Sequence, residues 1–484
     1  MRSLDYAEPL ASALTTADYT YDAVAALLGP DAHAALARNE TTPGERATRA
    51  GGPLDTLVRL WPLQLPVPLA DAEAALPGLV DRLCAAGLLE QSVGEVAARV
   101  DVRPYAADDR DLWVAADLTP GLDGAPNRVG PDHVLGISPA ATTLAQLTVR
   151  RPVDRALDLG TGCGVQALHL ADHARQVVAT DVNQRALWLT GLNAALNGVG
   201  LDVREGSYFE PVRDELFDLI VSNPPFVISP ATDERLVYRD SGVPGDRVVE
   251  DLVRGAPARL SPGGTCQVLA NWMIRRDEPW EERLGAWVEG SDPGVEAWVV
   301  QREVSDLPTY VELWLKDAGL HGSPEYARRY DTWLSWFEEQ GAEAVGFGWI
   351  SLRRTDAEPG FVALDWPYEV ALPLGDEVDR HFAAIEALRE PDEVLLGRRL
   401  VRADDVVQES YAEPGAEDPH RIVLRRQRGV RRARPVDTGE AALVGACDGD
   451  LTLGQIAAAL EELVGPGDRV AAVRELLAEG FLLP

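Results

Sequence analysis

The stretch ALDLGTGCGV, Ala156 to Val165, decides how the rest of the chain is read. An apolar run ends at Asp158 and Leu159, passes Gly160, Gly162 and Gly164, and enters the helical stretch VQALHLADHA. That order predicts a strand, a tight loop and a helix: glycine turns sharply and lets backbone approach a ligand, and the first N–H groups of a helix lack internal partners. Alone, a glycine-rich loop is a weak signal. Around it RALDLG, VVATDV, FDLIVSN and GTCQVLAN read as strands, alternating with the helical stretches VQALHLADHA, RALWLTGLNAAL and RVVEDLVRGAPARL. The alternation predicts a parallel sheet covered by helices on both faces. Farther on, VEAWVVQR and AVGFGWISLRR read as two more strands split by a helical insert, which predicts an antiparallel edge.

The second strand ends in VVATDVN and places Asp181 about twenty residues past the loop, where a carboxylate can accept both hydroxyls of a ribose. Two ligand classes fit, a dinucleotide and S-adenosylmethionine. A dinucleotide loop wants its third glycine at the position of Val165. Asp158 at the strand tip instead suits a ligand with an ammonium group. A cationic ligand without phosphates therefore fits better, held by Asp158, Gly160, Thr161, Gly162, Cys163, Gly164 and Asp181.

The fourth strand finishes on Asn223, Pro224, Pro225 and Phe226. Prolines cannot donate to a ladder and keep the preceding residue extended, so the strand stops at Asn223. In isolation such a run reads as a strand-end turn. Following the glycine loop and Asp181, it makes residues 136–305, plus a strand near 343–354, resemble class I S-adenosylmethionine-dependent methyltransferases. The N-P-P-F ending resembles release-factor glutamine N-methyltransferases and adenine-N6 or guanine-N2 nucleic-acid methyltransferases. That resemblance implies a Rossmann-like seven-stranded sheet, S-adenosylmethionine as cofactor, and methyl transfer to a nitrogen whose lone pair is delocalised into a planar system. It implies further that the Asn223 side-chain oxygen and the Pro224 carbonyl accept the two N–H bonds, and that Phe226 stacks on the planar group. In REGSYFEPV, Ser207 stands where the glutamine enzymes carry an acid, and Tyr208–Phe209 keep their aromatic pair. Tyr208 is carried over as an adenine-stacking residue and Ser207 as a hydrogen-bond partner. In GISPAATTLAQL, Thr142 stands where that family has a glutamate.

Which planar nitrogen is a question of charge. A net charge of −33 repels polyanions unless basic groups are concentrated somewhere. One concentration exists: RIVLRRQRGVRRAR carries Arg421, Arg425, Arg426, Arg428, Arg431, Arg432 and Arg434 and no acid. Free, it would support an RNA or DNA base as acceptor; against the protein's own carboxylates it would be a solvated strand pair. The net charge and the form SNPPF, preceded by SYF, favour a protein glutamine amide. An inactive methyltransferase-fold binding protein is the third reading, disfavoured because cofactor and catalytic motifs are both intact.

The length predicts several domains. Residues 1–118 read as short amphipathic helices followed by strands around EVAARVDV and DLWVAADL, a winged-helix-like substrate-recognition domain. Residues 119–355 form the methyltransferase domain with a helical insert at about 305–341, and 356–484 a C-terminal domain with the arginine strip and a winged-helix-like end. DRLCAAGLLE and RELLAEGFLL both close a helix at glycine, Gly87 and Gly480, before an apolar strand. Tyr326, Tyr330, Trp333 and Phe337 follow helical spacing and read as a core stripe. Cys84, Cys163, Cys266 and Cys447 show no paired spacing and read as buried thiols; His169 and His173, with no third ligand candidate nearby, read as surface residues rather than a metal site. With no apolar span and no signal-like start, the expected location is the cytoplasm.

Overall fold

The computed structural model describes residues 4–108, 110–125, 129–130, 132–231, 242–415, 419–465 and 467–484. They fall into two compact units, one within 1–145 and 152–364, the other within 146–151 and 365–484.

The first unit is organised by an eight-stranded sheet. Its strands are β1 (Val153–Leu159), β2 (Ala174–Asp181), β3 (Asp202–Glu205), β4 (Phe217–Ser222), β5 (Leu260–Arg275), β6 (Val295–Asp306), β7 (Ala342–Arg354) and β8 (Gly360–Asp365), in the order 8-6-7-5-4-1-2-3. Strands β1 to β5 run parallel, and β7 is antiparallel to both β5 and β6. The Rossmann-like sheet and its antiparallel edge are as expected, with β8 added beside β6. Ala156, Leu157, Leu219, Ile220 and Val221 are fully buried, as strands covered on both faces must be.

Register places the site. Leu159 of β1 pairs with Thr180 of β2 and with Ser222 of β4. The next residues, Gly160, Asp181 and Asn223, therefore lie in a row along the carboxyl edge. The Ser222 hydroxyl donates to the Leu159 carbonyl at 2.7 Å and locks that edge.

Strands β5 and β7 rise beyond it. In β7, a Cβ at Gly346 would stand 2.4 Å from Trp272 Nε1, and one at Gly348 would stand 1.9 Å from the Val300 carbonyl oxygen. The two glycines thus admit the Trp272 ring on one face, while Phe347, between them, alternates to the other. On that other face sit the insert helices Leu307–Asp317 and Pro324–Glu339, the first capped by Asp306, whose side chain accepts from Thr309 N at 2.8 Å. Tyr310, Trp314, Trp333 and Phe337 are buried there, and Tyr326 and Tyr330 stack on one another at 6.1 Å at its margin. Half of the stripe, Trp333 and Phe337, is core as its spacing predicts, and Tyr326 and Tyr330 are partly buried.

Ahead of the sheet, helices between Ala7 and Ala86 lead into a small sheet of Val67–Pro68, Glu95–Ala98 and Leu89–Ser92, then a hairpin of Asp101–Ala107 with Arg110–Ala116. The run EVAARVDV is two strands rather than one, parted where Arg99 N donates to Leu88 O. Both glycine-closed helices are present: Gly87 has φ +82° and Gly480 φ +79°, each followed by a strand, Leu89–Ser92 and Leu482–Leu483. The hairpin is pinned to the helix Gln184–Leu196 by Asn193, whose side chain bonds both the N–H and carbonyl of Ala115 and also the Cys163 carbonyl. His169 is 5% exposed, not on the surface, because the same hairpin covers it and the Tyr105 hydroxyl lies 2.9 Å from its Nε2. Asp108 and Asp172 bring carboxylates near His169, a neighbourhood the sequence spacing did not reveal, although Asp172 already pairs with Arg110.

The second unit packs helices, among them Gly375–Leu388, Thr438–Ala446 and Arg469–Ala478, against the antiparallel sheet Val406–Tyr411, Arg421–Arg426 and Ala433–Val436. Here the arginine run follows the second of its two readings, pairing with the protein's own carboxylates. Arg426 is 1% exposed and bonds Asp405 at 2.7 Å and Glu377 at 3.1 Å, so it cannot reach a phosphate. Arg425 pairs with Glu409, Arg428 with Asp404, Arg431 with Glu369, and Arg434 with Glu440, Glu475 and Glu479. Arg421 and Arg432 lie over the rings of Tyr411 and Trp366 at 5.8 and 5.6 Å. Of the cysteines, Cys163, Cys266 and Cys447 are buried but Cys84 only half so; all four are free thiols. No described helix is long and apolar enough to cross a membrane.

Candidate active site

A cavity of about 1040 Å³ opens along the carboxyl edge of β2, β1 and β4. Gly160, Thr161, Cys163, Asp181, Ser207, Tyr208 and the run Asn223 to Phe226 line it. Ten residues singled out from sequence thus converge on one space.

Asp158, Gly162 and Gly164 stand behind that surface. Asp158 is 1% exposed, and its carboxylate accepts from Thr161 Oγ1 at 2.6 Å and from Ala167 N at 3.0 Å. Burial pushes its pKa up to about 7 against the opposing pull of those two bonds. It braces the loop rather than facing the cavity. Gly162 donates its N–H to Asp181 at 3.0 Å, and its carbonyl accepts from Thr190 Oγ1 at 2.9 Å. At Gly164, φ is +87° and a Cβ would meet Thr190 at 3.1 Å, so that glycine lets the loop close on the helix Gln184–Leu196. Gly160, also left-handed at φ +74°, has nothing within 4 Å of where a Cβ would stand. The room it leaves is cavity.

Asp181 is half-buried at the end of β2. One carboxylate oxygen accepts from Gly162 N and the other from Asn183 N at 2.8 Å, which fixes the group while leaving lone pairs for a ligand. Burial raises its pKa, and those backbone donors oppose the rise. Tyr208 is held at φ +47°, a conformation a non-glycine residue adopts rarely and at some cost. The Cys163 thiol is pushed by burial up to about 12, which excludes it as a nucleophile at neutral pH.

At the opposite end lies the orphan. Asn223 Oδ1 is buried and has no hydrogen-bond partner among the described residues. A buried acceptor left unmade costs about 1–3 kcal/mol; other buried polar atoms of the described residues also lack partners, so it is the place of this one in the cavity wall, beside Pro224, Pro225 and Phe226, that singles it out. Phe226, Leu313, Trp314 and Phe347 complete this end of the wall. The last three were not foreseen as site residues: periodicity showed that the insert buries a stripe, not that its first helix also borders a cavity. Gln166, likewise unforeseen, lines the glycine-loop end and donates to the Ala141 carbonyl at 2.7 Å. Thr142 does not line the cavity; its hydroxyl donates back to the Ser138 carbonyl at 3.2 Å.

Residues 137–288 match the family described as Methyltransferase small domain, and residues 16–99 match one described as Domain of unknown function (DUF7059). The release factor glutamine methyltransferase of Xylella fastidiosa (strain Temecula1 / ATCC 700964) is 40% identical over 131 residues, 24% of this chain and 47% of that protein. The ribosomal protein uL3 glutamine methyltransferase of Bradyrhizobium diazoefficiens is 30% identical over 167 residues, 31% of this chain and 52% of that one. The ribosomal RNA small subunit methyltransferase C of Klebsiella pneumoniae subsp. pneumoniae is 32% identical over 133 residues, 27% of this chain and 35% of that one. The chain spans about half the length, or less, of these curated relatives. A solved methyltransferase structure from Pyrococcus furiosus is similar over 48% of this chain and 89% of its own, at 16% identity and a TM-score of 0.28.

Proposed function

We propose that this chain, whose central region is a class I S-adenosylmethionine-dependent methyltransferase domain, is an N-methyltransferase acting on the side-chain amide of a protein glutamine. The observation that carries the reading is the buried, unpartnered Asn223 Oδ1 in the same cavity as Asp181.

The residues present fit the cofactor. Gly160 leaves open space for close approach, Asp181 offers a fixed carboxylate to a ribose, and Tyr208 offers a ring to an adenine. Gly160, Thr161, Cys163, Asp181, Ser207 and Tyr208 would hold it, with Asp158, Gly162 and Gly164 shaping the loop. When bound, S-adenosylmethionine supplies an electrophilic sulfonium methyl.

The chain's own part is to make a poor nucleophile usable. Asn223 Oδ1 and the Pro224 carbonyl would accept the two N–H bonds of the amide, which pins the nitrogen and favours withdrawal of its lone pair from conjugation. Pro224 and Pro225 hold that pair of acceptors rigid at the strand end, and Phe226 would stack on the planar group. The Ser222–Leu159 bond sets the distance between this corner and the glycine loop. Residues 1–118 would serve in recognising the protein substrate, and the relatives' named targets in translation would place the enzyme in the cytoplasm.

A nucleic-acid base is the second reading, kept by the similarity to a ribosomal RNA methyltransferase. The internal pairing of the arginine run weakens it. The test is incubation with methyl-labelled S-adenosylmethionine and cell lysate. Label removed by protease and recovered as methylglutamine supports the proposal; label removed only by nuclease replaces it with the base reading.

A further inference from the structure

The acceptor end of the cavity differs from what phosphate would need. Among the described residues that line the cavity none is Arg or Lys, and Asp181 is its one carboxylate. Around Asn223 the wall is Phe226, Val243, Leu313, Trp314 and Phe347. Leu313 is half exposed at the mouth, although it lies on a helix whose neighbours Tyr310, Val311, Trp314 and Leu315 are buried. A leucine left at a cavity mouth, continuous with an apolar wall, is placed to meet apolar surface on whatever enters.

The same helix is tied to the catalytic strand end. The Ile228 N–H, five residues beyond Asn223, donates to the buried Tyr310 hydroxyl at 2.8 Å. Tyr310 also packs on Trp314 at 6.1 Å and on Phe347 at 5.7 Å between ring centroids. Asn271 pairs with Phe347 across β5 and β7, and its side chain lies near the same hydroxyl. One side chain thus connects the segment after the proline pair, the insert helix and β7.

We propose that the insert, together with Phe347 of β7, is the specificity element of the acceptor site: Leu313, Trp314 and Phe347 receive apolar residues flanking the target amide, and Tyr310 is the positioning residue that holds this wall in register with Asn223. The inference rests on the glutamine reading and adds to it the substrate class, an uncharged glutamine within an apolar peptide segment. Among the described residues a flanking acid would meet a wall with no Arg or Lys, and a flanking base would lose hydration against aromatic rings.

The experiment uses the full chain, methyl-labelled S-adenosylmethionine, and a set of short peptides with one central glutamine flanked by apolar, acidic or basic residues, with the label located by mass spectrometry. The parent should label the apolar-flanked peptides. Leu313→Glu, a change at a half-exposed position, should raise KM for those peptides about tenfold and shift preference towards basic flanks, with cofactor affinity unaltered. Tyr310→Phe, which keeps the ring, should lower kcat about tenfold with little change in KM, a split that general loosening of the fold would not give. If the parent labels glutamine but Leu313→Glu keeps the parent's KM and preference, the specificity role is overturned and the glutamine reading stands. If the parent labels no glutamine, both fall together.

Discussion

Two polar features dominate the sequence, the Asn223 amide in the proline-rich corner and the arginine run from Arg421 to Arg434, and the structure treats them in opposite ways. Asn223 is one uncharged side chain, yet its oxygen is buried and unmatched. The arginines are seven charges, and each already meets a carboxylate or an aromatic ring within its own unit. The contrast teaches that the density of polar groups in a sequence does not tell which of them keep polar capacity after folding and also border a cavity. A buried acceptor without a donor costs stability in every molecule that lacks a ligand. An arginine paired internally has less to offer a phosphate, and Arg426 has nothing to offer at all.

The comparison can be broken most forcefully at Arg426. Arg426→Met would leave Asp405 and Glu377 facing each other without their shared cation, and about 3–5 kcal/mol of stability should be lost, read by urea unfolding of the full chain. A variant as stable as the parent would mean that the buried cluster is not structural and that the run is more available than its geometry indicates.

Next in size is Asp181→Ala. Losing a fixed carboxylate acceptor should weaken S-adenosylmethionine binding about 10- to 100-fold by titration calorimetry, as expected for hydrogen bonds to a charged group worth about 1.5–3 kcal/mol. Unchanged affinity would leave Asp181 as a brace for Gly162 and Asn183 alone.

Asp158 gives a pH signature. Its folded pKa, about 7, lies above the ordinary 3.8, so the folded state binds the proton more tightly than the unfolded one. Its contribution is therefore fully favourable below pH 4 and is lost as pH rises through about 7. Asp158→Asn should flatten the fall in melting temperature between those limits. A profile identical to the parent's would show that Asp158 is not the group titrating.

The smallest effect is expected from Arg425, Arg428 and Arg431 changed together to Gln. These are exposed pairs, each worth under about 1 kcal/mol, so stability should barely move. RNA binding by the parent should already be feeble at physiological salt and stay so. Tight parental binding whose salt dependence falls by about three contacts in the variant would restore the nucleic-acid reading.

Much of the glycine-loop end of the cavity was legible because its residues sit in short local runs. A strand, three glycines and an acid at the end of the next strand define a loop and a carboxylate whatever surrounds them, and parallel pairing then aligns Gly160, Asp181 and Asn223. That one carboxylate oxygen of Asp158 is spent on Thr161 and Ala167 was not legible, since residue type does not tell which groups a carboxylate meets. The arginine run left two readings open for a related reason: Glu377 and Asp405, which bury Arg426, lie 49 and 21 residues away along the chain, and only the fold brings them in. His169 was covered by a hairpin from the other end of the unit. Leu313 and Trp314, on the first insert helix, were not singled out, because the spacing of Tyr326, Tyr330, Trp333 and Phe337 tells which residues point together and not what a neighbouring helix borders.

The most direct test of the central claim compares Asn223→Ala with the parent in one preparation, measuring methyl transfer to protein and S-adenosylmethionine affinity side by side. The account predicts a loss of transfer of about a hundredfold or more, the scale of removing one oriented contact at a reacting centre, with cofactor affinity within several-fold of the parent. Transfer at the parental rate by that variant would contradict it.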